Sequence, residues 1–308
     1  MGDIARELPR LLRNAERLKD ARARGTLAPT LFGRNLALVF EKASTRTRSS
    51  FEVAMSDLGG HAVYLSTQDL QMRRGETLAD TARILSRYFD AVAYRAFKHS
   101  DVVELAKWAN VPVINALDDV EHPCQTVADL LTMSERWHRN FSGRRVAWIG
   151  DGNNVLHSLL LGAAAVGLSV SAATPPRYRP HRDIIDAAEA LARGTGAKIE
   201  FTDSPRAAAQ GADALYTDVW VSMGNEAEEA DRLRAFAGYQ INDKLLGEAA
   251  RDAFVLHDLP AHRGQEITDA VLDGPRSAAW DQAENRLHGQ KAILEMLLGP
   301  DALPRRRP

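Results

Sequence analysis

The sequence predicts an α/β protein with two doubly wound domains, each a mainly parallel sheet flanked by helices. Short apolar runs that fit strands alternate with longer amphipathic runs that fit helices, which is the order expected for parallel sheets. Polar segments follow several of these strands, at the sheet edge where such folds bind ligands. The length of 308 residues allows two domains of ordinary size, each with its own core.

Composition narrows the class of protein. Hydrophobic residues make up 45% and charged residues 26% of the chain, which is typical of soluble globular proteins. The net charge of −2 provides no general attraction to nucleic acid or to an anionic membrane, so we expect neither as a partner. The single cysteine, Cys124, excludes an intrachain disulfide and a cysteine-rich metal site. Because the first residues lack the apolar core of a signal peptide and no apolar run is long enough to span a bilayer, we expect a cytoplasmic protein.

The first domain is predicted to occupy residues 1–140. It begins with an amphipathic helix from Ile4 to Arg24, in which apolar residues recur at helical spacing between many charges. The strands that follow are Leu36 to Phe40, His61 to Leu65, Ala91 to Tyr94 and Val111 to Ala116. The helices between and after them are predicted in the hydroxyl-rich segment after Phe40, from Thr77 to Phe89, from Asp101 to Asn110 and from Thr126 to about Arg139.

The segment Ser44-Thr45-Arg46-Thr47-Arg48 predicts an anion site at the start of a helix. An apolar strand precedes it and helical apolar spacing follows it, so the hydroxyls fall at a helix N-terminus. Unpaired backbone N–H groups and the positive end of the helix dipole favour an anion there, and the paired donors of arginine match phosphate oxygens. An ordinary Ser/Thr cap with surface arginines would also explain the hydroxyls.

Two more polar sites follow strands of this domain. Arg95 directly follows a predicted strand, at the edge of the sheet where ligands gather. The segment from Glu121 to Gln125 follows the next strand, and its Pro123 fixes the backbone at the start of a helix. His122 and Gln125 are therefore expected to point in a constant direction, although a lone histidine is more often a cap or a solvated residue.

The second domain is predicted to occupy residues 141–308, after a polar break at 140–145. Its strands are predicted at Val146 to Ile149, Ser169 to Ala173, Lys198 to Phe201 and Ala214 to Asp218, with a last strand that begins at Phe254. Helices lie between these strands, so the alternating plan repeats. The last helix, from Ala283 to Leu298, is expected to cross back to the first domain.

Two polar segments of the second domain also follow strands. The first, Gly150-Asp151-Gly152-Asn153-Asn154, has the layout of a nucleotide-binding turn, but Val155 occupies the position where a dinucleotide fingerprint requires its third glycine. A nicotinamide-dependent dehydrogenase is therefore disfavoured. The second segment, Asp218 to Gly224, is rich in groups that could bind an ammonium, and a charged turn with a buried methionine is the alternative interpretation.

Six segments resemble, in order, those of the aspartate and ornithine carbamoyltransferase family, and most closely those of its ornithine carbamoyltransferases. They are Phe-Glu-Lys-Ala-Ser-Thr-Arg-Thr-Arg at 40–48, His-Pro-Cys-Gln at 122–125, Gly-Asp-Gly-Asn-Asn at 150–154, Asp-x-x-x-Ser-Met-Gly at 218–224, His-Asp-Leu-Pro at 257–260, and Asp-Gln-Ala-Glu-Asn-Arg-Leu-His at 281–288. The resemblance runs from about Leu36 to the last helix.

The resemblance implies a carbamoyltransferase that uses neither a cofactor nor a metal ion. The residues it assigns to carbamoyl phosphate are Ser44, Thr45, Arg46, Thr47, Arg95, His122, Gln125, Leu259 and Arg286. Those it assigns to ornithine are Asn154, Asp218, Ser222 and Met223, and the implied catalytic residues are Arg95, His122, Asp258 and Arg286. Carbamoyl phosphate would bind first, and the neutral δ-amine of ornithine would then attack its carbonyl carbon across a domain cleft.

Asp258 departs from the family, which has a cysteine in this His-Cys-Leu-Pro segment. A carboxylate can hold an ammonium, but its charge is disfavoured beside a phosphate dianion unless a cation neutralises it. Three possibilities follow: transfer to ornithine in arginine biosynthesis, transfer to a different amine, or a weakly active paralogue. Aspartate is disfavoured as the acceptor because Asp218 and Asp258 suit a cationic substrate.

The resemblance also implies a homo-oligomer, either a trimer or a multiple of trimers. Sites in such trimers lie near subunit contacts, so Gln71 and Arg74 are candidates to reach the site of a neighbouring subunit.

Overall fold

The computed structural model describes residues 1–68, 70–71, 75–221 and 226–302. Within these ranges the strands form two parallel sheets, one of four strands and one of five. Each sheet belongs to its own compact unit. The four-strand unit comprises residues 9–128 and the described residues from 285 onward, and the five-strand unit comprises residues 1–8 and 129–284. The predicted fold class is confirmed, whereas the predicted boundary between residues 140 and 141 stays a prediction.

The four-strand unit alternates strands and helices along the chain. Its strands are β1 (Asn35–Phe40), β2 (His61–Ser66), β3 (Ala91–Arg95) and β4 (Val113–Leu117), in the spatial order β2-β1-β3-β4. Its helices are α1 (Leu8–Ala23), α2 (Thr45–Asp57), α3 (Leu78–Tyr88), α4 (His99–Trp108) and the start of α5 (Pro123–Arg136). The strand order reverses between β1 and β3, and ligands bind at such a switch point in open α/β sheets.

The five-strand unit follows the same plan. Its strands are β5 (Arg145–Ile149), β6 (Ser169–Ala173), β7 (Ile199–Thr202), β8 (Ala214–Thr217) and β9 (Phe254–His257), in the order β7-β6-β5-β8-β9. Its helices are α6 (Asn154–Val166), α7 (Arg182–Thr195), α8 (Pro205–Ala209), α9 (Glu229–Ala235), α10 (Asp243–Leu246) and α11 (Asp269–Leu272), with short 3₁₀ turns at Gly2–Glu7, Pro176–Tyr178 and Glu226–Glu228. Its switch point lies between β5 and β8.

The last helix, α12 (Ala279–Leu298), contacts α1, α2 and α5 through its residues from 285 onward. Lys19 of α1 donates to the Asn285 amide oxygen at 2.8 Å. The Lys291 ammonium, whose side chain is fully buried, pairs with Asp57 of α2. Arg286 donates to an amide oxygen of α5, as described below. The expected return of the last helix to the first sheet is therefore confirmed, although the helix begins four residues earlier than predicted.

Proline and left-handed residues explain two shifts in helix boundaries. Helix α5 begins at Pro123 rather than Thr126, since proline suits the first turn of a helix, where its missing N–H would have no partner. It ends at Arg136 because His138 and Arg139 have φ angles of +51° and +66°. Among the described residues, no helix is long and apolar enough to cross a membrane.

Candidate active site

The hydroxyl-rich turn after β1 forms the N-terminus of α2, as predicted. Ser44 is the N-cap, and its hydroxyl oxygen accepts a hydrogen bond from the Thr47 backbone N–H at 3.2 Å. The cap leaves other N–H groups of the first turn available, and they lie at the positive end of the helix dipole. Thr45 is exposed and Arg46 is half-buried beside it. This turn can therefore receive an anion from solvent.

Strand register brings Arg95 to the same turn. Phe40, the last residue of β1, pairs with Arg95, the last residue of β3. The backbone N–H of Glu41 then donates to the Arg95 carbonyl at 2.9 Å, which fixes the chain on both sides of the switch point. The Arg95 side chain is buried, and its Nη1 lies 3.5 Å from the Thr47 hydroxyl oxygen. The parallel pairing of β1 with β3 thus brings the Arg95 guanidinium to Thr47. The sequence alone placed Arg95 only at the end of a strand.

Arg286 of α12 reaches the same hydroxyl group. Its Nη2 donates to Thr47 Oγ1 at 2.6 Å, and its Nη1 donates to Oε1 of Gln125 on α5. All three side chains are buried. Two guanidinium groups therefore converge on one threonine at the first turn of α2, and one of them also orients Gln125.

His122 is buried next to this cationic cluster. Burial, followed by the positive charges of Arg286, Arg95 and Arg46, lowers the pKa of His122 well below its ordinary value of 6.5. The imidazole is therefore neutral at neutral pH. A neutral imidazole can donate one hydrogen bond to a substrate oxygen without adding a further charge to the site.

Arg48 belongs to the same motif, but its contacts lie on the side of α2 and not at Thr47. Its Nε donates to Glu52 at 2.9 Å, and its guanidinium lies 3.7 Å from the centre of the Tyr64 ring. This arginine behaves as a partly exposed residue on the side of α2, so the ordinary-cap interpretation holds for it.

The second group of predicted residues lies at the switch point of the five-strand sheet. Thr217 of β8 pairs with His257 of β9, so the next residues, Asp218 and Asp258, stand side by side at the ends of adjacent strands. Asn153 in the turn after β5 donates from its side-chain amide to Asp218 at 2.8 Å. Two carboxylates and an amide are thus collected at one edge of the sheet.

The environment of Asp218 disfavours the ionised form of its carboxyl group, because the group is buried and Asp258 lies beside it. Burial and the neighbouring Asp258 raise the pKa of Asp218 well above its ordinary value of 3.8, against the opposing bonds from the Val219 backbone N–H and Asn153. A cation that binds here would favour the ionised form. The arrangement therefore suits an ammonium group, or a carboxyl pair that retains a proton when no ammonium is bound.

Asn153 contacts Asp218, and the predicted contact of the neighbouring Asn154 with ornithine stays a prediction. The Asn153 side chain also caps α6, because its oxygen accepts from the backbone N–H groups of Val155 and Leu156 at 3.1 and 3.2 Å. Asn154 is the first residue of α6. Asn153 was not predicted as a site residue, although asparagine before an apolar helical run is a recognisable N-cap signal.

Arg232 of α9 fixes the chain on both sides of this site. Its Nη1 donates to the Asp151 carboxylate at 2.8 Å and to the Trp220 carbonyl at 3.0 Å. Asp151 belongs to the turn after β5, and Trp220 lies two residues beyond Asp218. The predicted ornithine-binding residues Ser222 and Met223 lie outside the described residues, as does Arg74.

Leu259 lies in the five-strand unit, in the segment after β9. Its backbone N–H donates to His257 Nδ1 at 2.8 Å, so the His257 proton is on Nε2, which donates to Glu266 at 3.0 Å. Leu259 has a φ of +60°, a left-handed conformation that a leucine rarely adopts. The histidine and its glutamate therefore help to hold the backbone beside Asp258. The predicted contact of Leu259 with carbamoyl phosphate stays a prediction.

Two family models match the chain. One, described as "Aspartate/ornithine carbamoyltransferase, carbamoyl-P binding domain", matches residues 3–135. The other, described as "Aspartate/ornithine carbamoyltransferase, Asp/Orn binding domain", matches residues 142–297. Together they cover both sites described above.

The family name covers both aspartate and ornithine carbamoyltransferases, and similar individual proteins show which of the two this chain resembles. An ornithine carbamoyltransferase of Methanoculleus marisnigri is 53% identical over 292 residues, which are 95% of this chain and 93% of that protein. The solved ornithine carbamoyltransferase of Pyrococcus furiosus is 50% identical, with a TM-score of 0.93 over 96% of this chain and 94% of that one. The chain belongs to the ornithine carbamoyltransferase family. A solved ornithine carbamoyltransferase of Thermus thermophilus, 46% identical, also has the same fold, with a TM-score of 0.86 over 96% of this chain and 95% of that one.

The two family models divide between them the two clusters of polar residues described above. The turn at Ser44 and the arginines around Thr47 lie within the range of the carbamoyl-P model. Asp218 and Asp258 lie within the range of the Asp/Orn model. Arg286 is the exception, because it lies within the second range and yet donates to Thr47 in the first.

Proposed function

We propose that this chain transfers the carbamoyl group of carbamoyl phosphate to the δ-amine of L-ornithine and releases L-citrulline and phosphate, as a biosynthetic enzyme of arginine formation. A Pyrococcus furiosus relative named "Ornithine carbamoyltransferase, anabolic" is 50% identical over 295 residues and supports the biosynthetic direction. The observation that carries the proposal is the convergence of Arg95 and Arg286 on Thr47 at the N-terminus of α2.

Carbamoyl phosphate binds in this proposal at the first turn of α2. Ser44, Thr45, Arg46 and Thr47 take the phosphate, because hydroxyls, a guanidinium and the N–H groups that the cap leaves available at this turn complement its oxygens. The carbonyl oxygen accepts hydrogen bonds from the Thr47 hydroxyl, Arg95, His122 and Arg286, while Gln125 and Leu259 contact the carbamoyl end. Since these donors are fixed before reaction, they stabilise the negative charge that develops on the oxygen in the transition state.

Ornithine binds in this proposal beside Asp218, whose carboxylate pairs with the α-ammonium. Asn153 and Asn154 hold the amino-acid end, Ser222 and Met223 line the path of the side chain, and Asp258 faces the amine. The neutral δ-amine forms the new C–N bond, the C–O bond to phosphate breaks, and phosphate leaves with the bonding electrons. As the C–N bond forms, the nitrogen gives up one N–H proton, which leaves with the phosphate as hydrogen phosphate.

A different amine is the second candidate for the acceptor, because Asp258 replaces the cysteine that the family carries. The test is phosphate release from carbamoyl phosphate by the purified protein with L-ornithine, lysine, putrescine or aspartate, with identification of the ureido product by mass. Citrulline formation at a rate well above that with the other amines is expected. Activity with only another amine would make Asp258 the specificity switch, and carbamoyl phosphate binding without turnover would contradict a catalytic role for the chain.

We also propose a homo-oligomeric, cytoplasmic protein, as a trimer or a multiple of trimers. The family resemblance supports the oligomer, and the single cysteine fits a reducing compartment. Light scattering coupled to size-exclusion chromatography measures the oligomeric state directly, and a monomer would contradict this part of the proposal.

A further inference from the structure

The loop between β4 and α5 is organised around one buried carboxylate, that of Asp118. Its Oδ1 accepts hydrogen bonds from the backbone N–H groups of Val120 at 2.8 Å and Glu121 at 2.7 Å. Its Oδ2 lies 2.6 Å from His99 Nδ1 and accepts from the Asn115 side-chain amide at 2.8 Å. The side chain is fully buried. A buried carboxylate with four hydrogen bonds is well compensated and holds all four partners in place.

This loop leads directly to His122. The Asp118 backbone N–H donates to the Glu121 carbonyl at 3.0 Å, so the loop closes on itself one residue before the histidine. The His122 carbonyl then accepts from the Gln125 and Thr126 backbone N–H groups at 3.1 and 3.3 Å, which begins α5. The direction of His122 and Gln125 is therefore set by the path of residues 118–121.

The other end of the network lies on α4. The Asp119 carboxylate accepts from the backbone N–H of His99, the first residue of α4, at 2.7 Å. An anion at a helix N-terminus is favoured by the unpaired N–H groups and the helix dipole. Asp118 and Asp119 therefore attach the loop to α4 by two separate contacts, one to the His99 ring and one to its backbone.

We propose that Asp118 is a positioning residue of the active site, which acts by holding the 118–121 loop so that His122 and Gln125 meet carbamoyl phosphate in a fixed geometry. The inference rests on the proposed function, since it assigns His122 and Gln125 to carbamoyl phosphate. Asp118 was not singled out by the sequence, because two consecutive aspartates before a glutamate resemble a solvated acidic turn. Only the burial and the four contacts distinguish it from its neighbour, Asp119, which is exposed.

A purely electrostatic effect is the main alternative. Burial, followed by the positive charge of Arg95, lowers the pKa of Lys42, and the charges of Asp119 and Asp118 oppose this shift, so both aspartates act on the cationic site. Asp119→Asn removes one of these charges while leaving an oxygen that can still accept from His99. Asp119→Asn is therefore the matched control: it changes charge one residue away without releasing the loop.

The experiment compares Asp118→Ala, Asp118→Asn, His99→Ala and Asp119→Asn with the native protein. For each, we measure kcat, the KM of both substrates, carbamoyl phosphate affinity by calorimetry, and the thermal midpoint. Asp118→Ala should lower kcat about tenfold to a hundredfold, because a displacement near 1 Å costs that much in a positioned site. Asp118→Asn retains an acceptor for Val120 and Glu121 and should recover most of this loss. His99→Ala, at a side chain that is 43% exposed, should lower kcat about threefold.

The results separate positioning from a structural role. A positioning residue changes kcat and carbamoyl phosphate affinity while the KM of ornithine moves less than about twofold. A lower thermal midpoint with unchanged kcat per folded protein would overturn the inference, and so would an equal loss in Asp119→Asn. If Asp118→Ala does not fold, His99→Ala decides, and native kcat in that variant would overturn the inference. Absence of both turnover and carbamoyl phosphate binding in the native protein would instead overturn the proposed function.

Discussion

Arg286 and Thr47 lie 239 positions apart in the sequence, yet Arg286 Nη2 donates to the Thr47 hydroxyl at 2.6 Å. The same arginine donates to Gln125. Since all three side chains are buried, the contact is shielded from water and from salt, and it links three helices at the N-terminus of α2.

Arg286→Lys should therefore impair catalysis strongly. Lysine is a single point donor and cannot bond Thr47 and Gln125 together as the planar guanidinium does. We expect kcat/KM for carbamoyl phosphate to fall on the order of 100-fold or more, as for loss of one oxyanion donor. Steady-state kinetics test this, with Arg136→Lys, at a partly exposed pair with Asp281, as the control. Equal losses in the two variants would contradict a specific role for Arg286.

Ser44→Ala should weaken both α2 and anion binding. Loss of an N-cap costs about 1 kcal/mol of stability, and loss of the hydroxyl removes a donor from the proposed phosphate site. Ser204→Ala is the matched control, because Ser204 caps α8 by the same bond to a backbone N–H three residues on, at 3.3 Å. Chemical unfolding should give similar losses for both variants, whereas calorimetry should show weaker carbamoyl phosphate binding only for Ser44→Ala. Unchanged binding would assign Ser44 to capping alone.

Asp258 should determine how well the acceptor binds. Asp258→Asn removes one negative charge beside Asp218, and we expect kcat/KM for ornithine to fall about tenfold, as for a partner of a charged substrate group. Asp258→Cys should leave folding intact and change acceptor affinity or turnover. Asp269→Asn, at an exposed partner of Arg263, is the control for charge removal. No kinetic change with any amine in either Asp258 variant would refute a role in acceptor selection.

Asp218 makes the stability of the ligand-free protein depend on pH. Because its pKa is raised on folding, the folded chain binds more protons than the unfolded chain between pH 3.8 and the raised value. The free energy of unfolding contributed by this group therefore falls as the pH rises through that window. Asp218→Asn removes the effect, so we expect it to be more stable than the native protein at pH 8 and to lose part of that advantage at pH 5.

Urea unfolding at the two pH values measures this difference, and ornithine binding to Asp218→Asn is measured in parallel. The variant should bind ornithine more weakly even where it is more stable, because its amide cannot pair with an ammonium as a carboxylate does. A stability difference that grows toward pH 5 would contradict the assigned direction of the pKa shift.

Strand and helix order could be predicted from the sequence because apolar spacing reports it locally. The hydroxyls before α2 and the proline before Gln125 are also local signals, and the structure places Ser44 at the N-cap and Pro123 at the start of α5 as such signals predict. Arg48 shows the limit of motif reasoning. It belongs to the same run as Arg46, but helical geometry turns it toward Glu52, four residues on.

Contacts set by tertiary structure could not be predicted from spacing. Nothing in the sequence around Asp118 indicates that it is buried, because its partner His99 belongs to another helix. The side-by-side placement of Asp218 and Asp258 depends on the register of β8 and β9, which a strand prediction does not give. Family resemblance supplied residue roles at these positions, but only the register explains why the two carboxylates meet.

The contact between Arg286 and Thr47 also bears on how the protein is made. A ribosome synthesises α2 early, so the nascent chain has the turn at Ser44 long before Arg286, which donates to Thr47 in the native structure, emerges. Domains generally fold as they emerge, and contacts of large sequence separation form late. The emerging protein therefore passes through a stage in which the turn is folded but the site lacks its last donor. Binding of carbamoyl phosphate can therefore show whether α12 has been synthesised. A fragment that stops before α12 should form its first sheet but be unable to carry out the reaction.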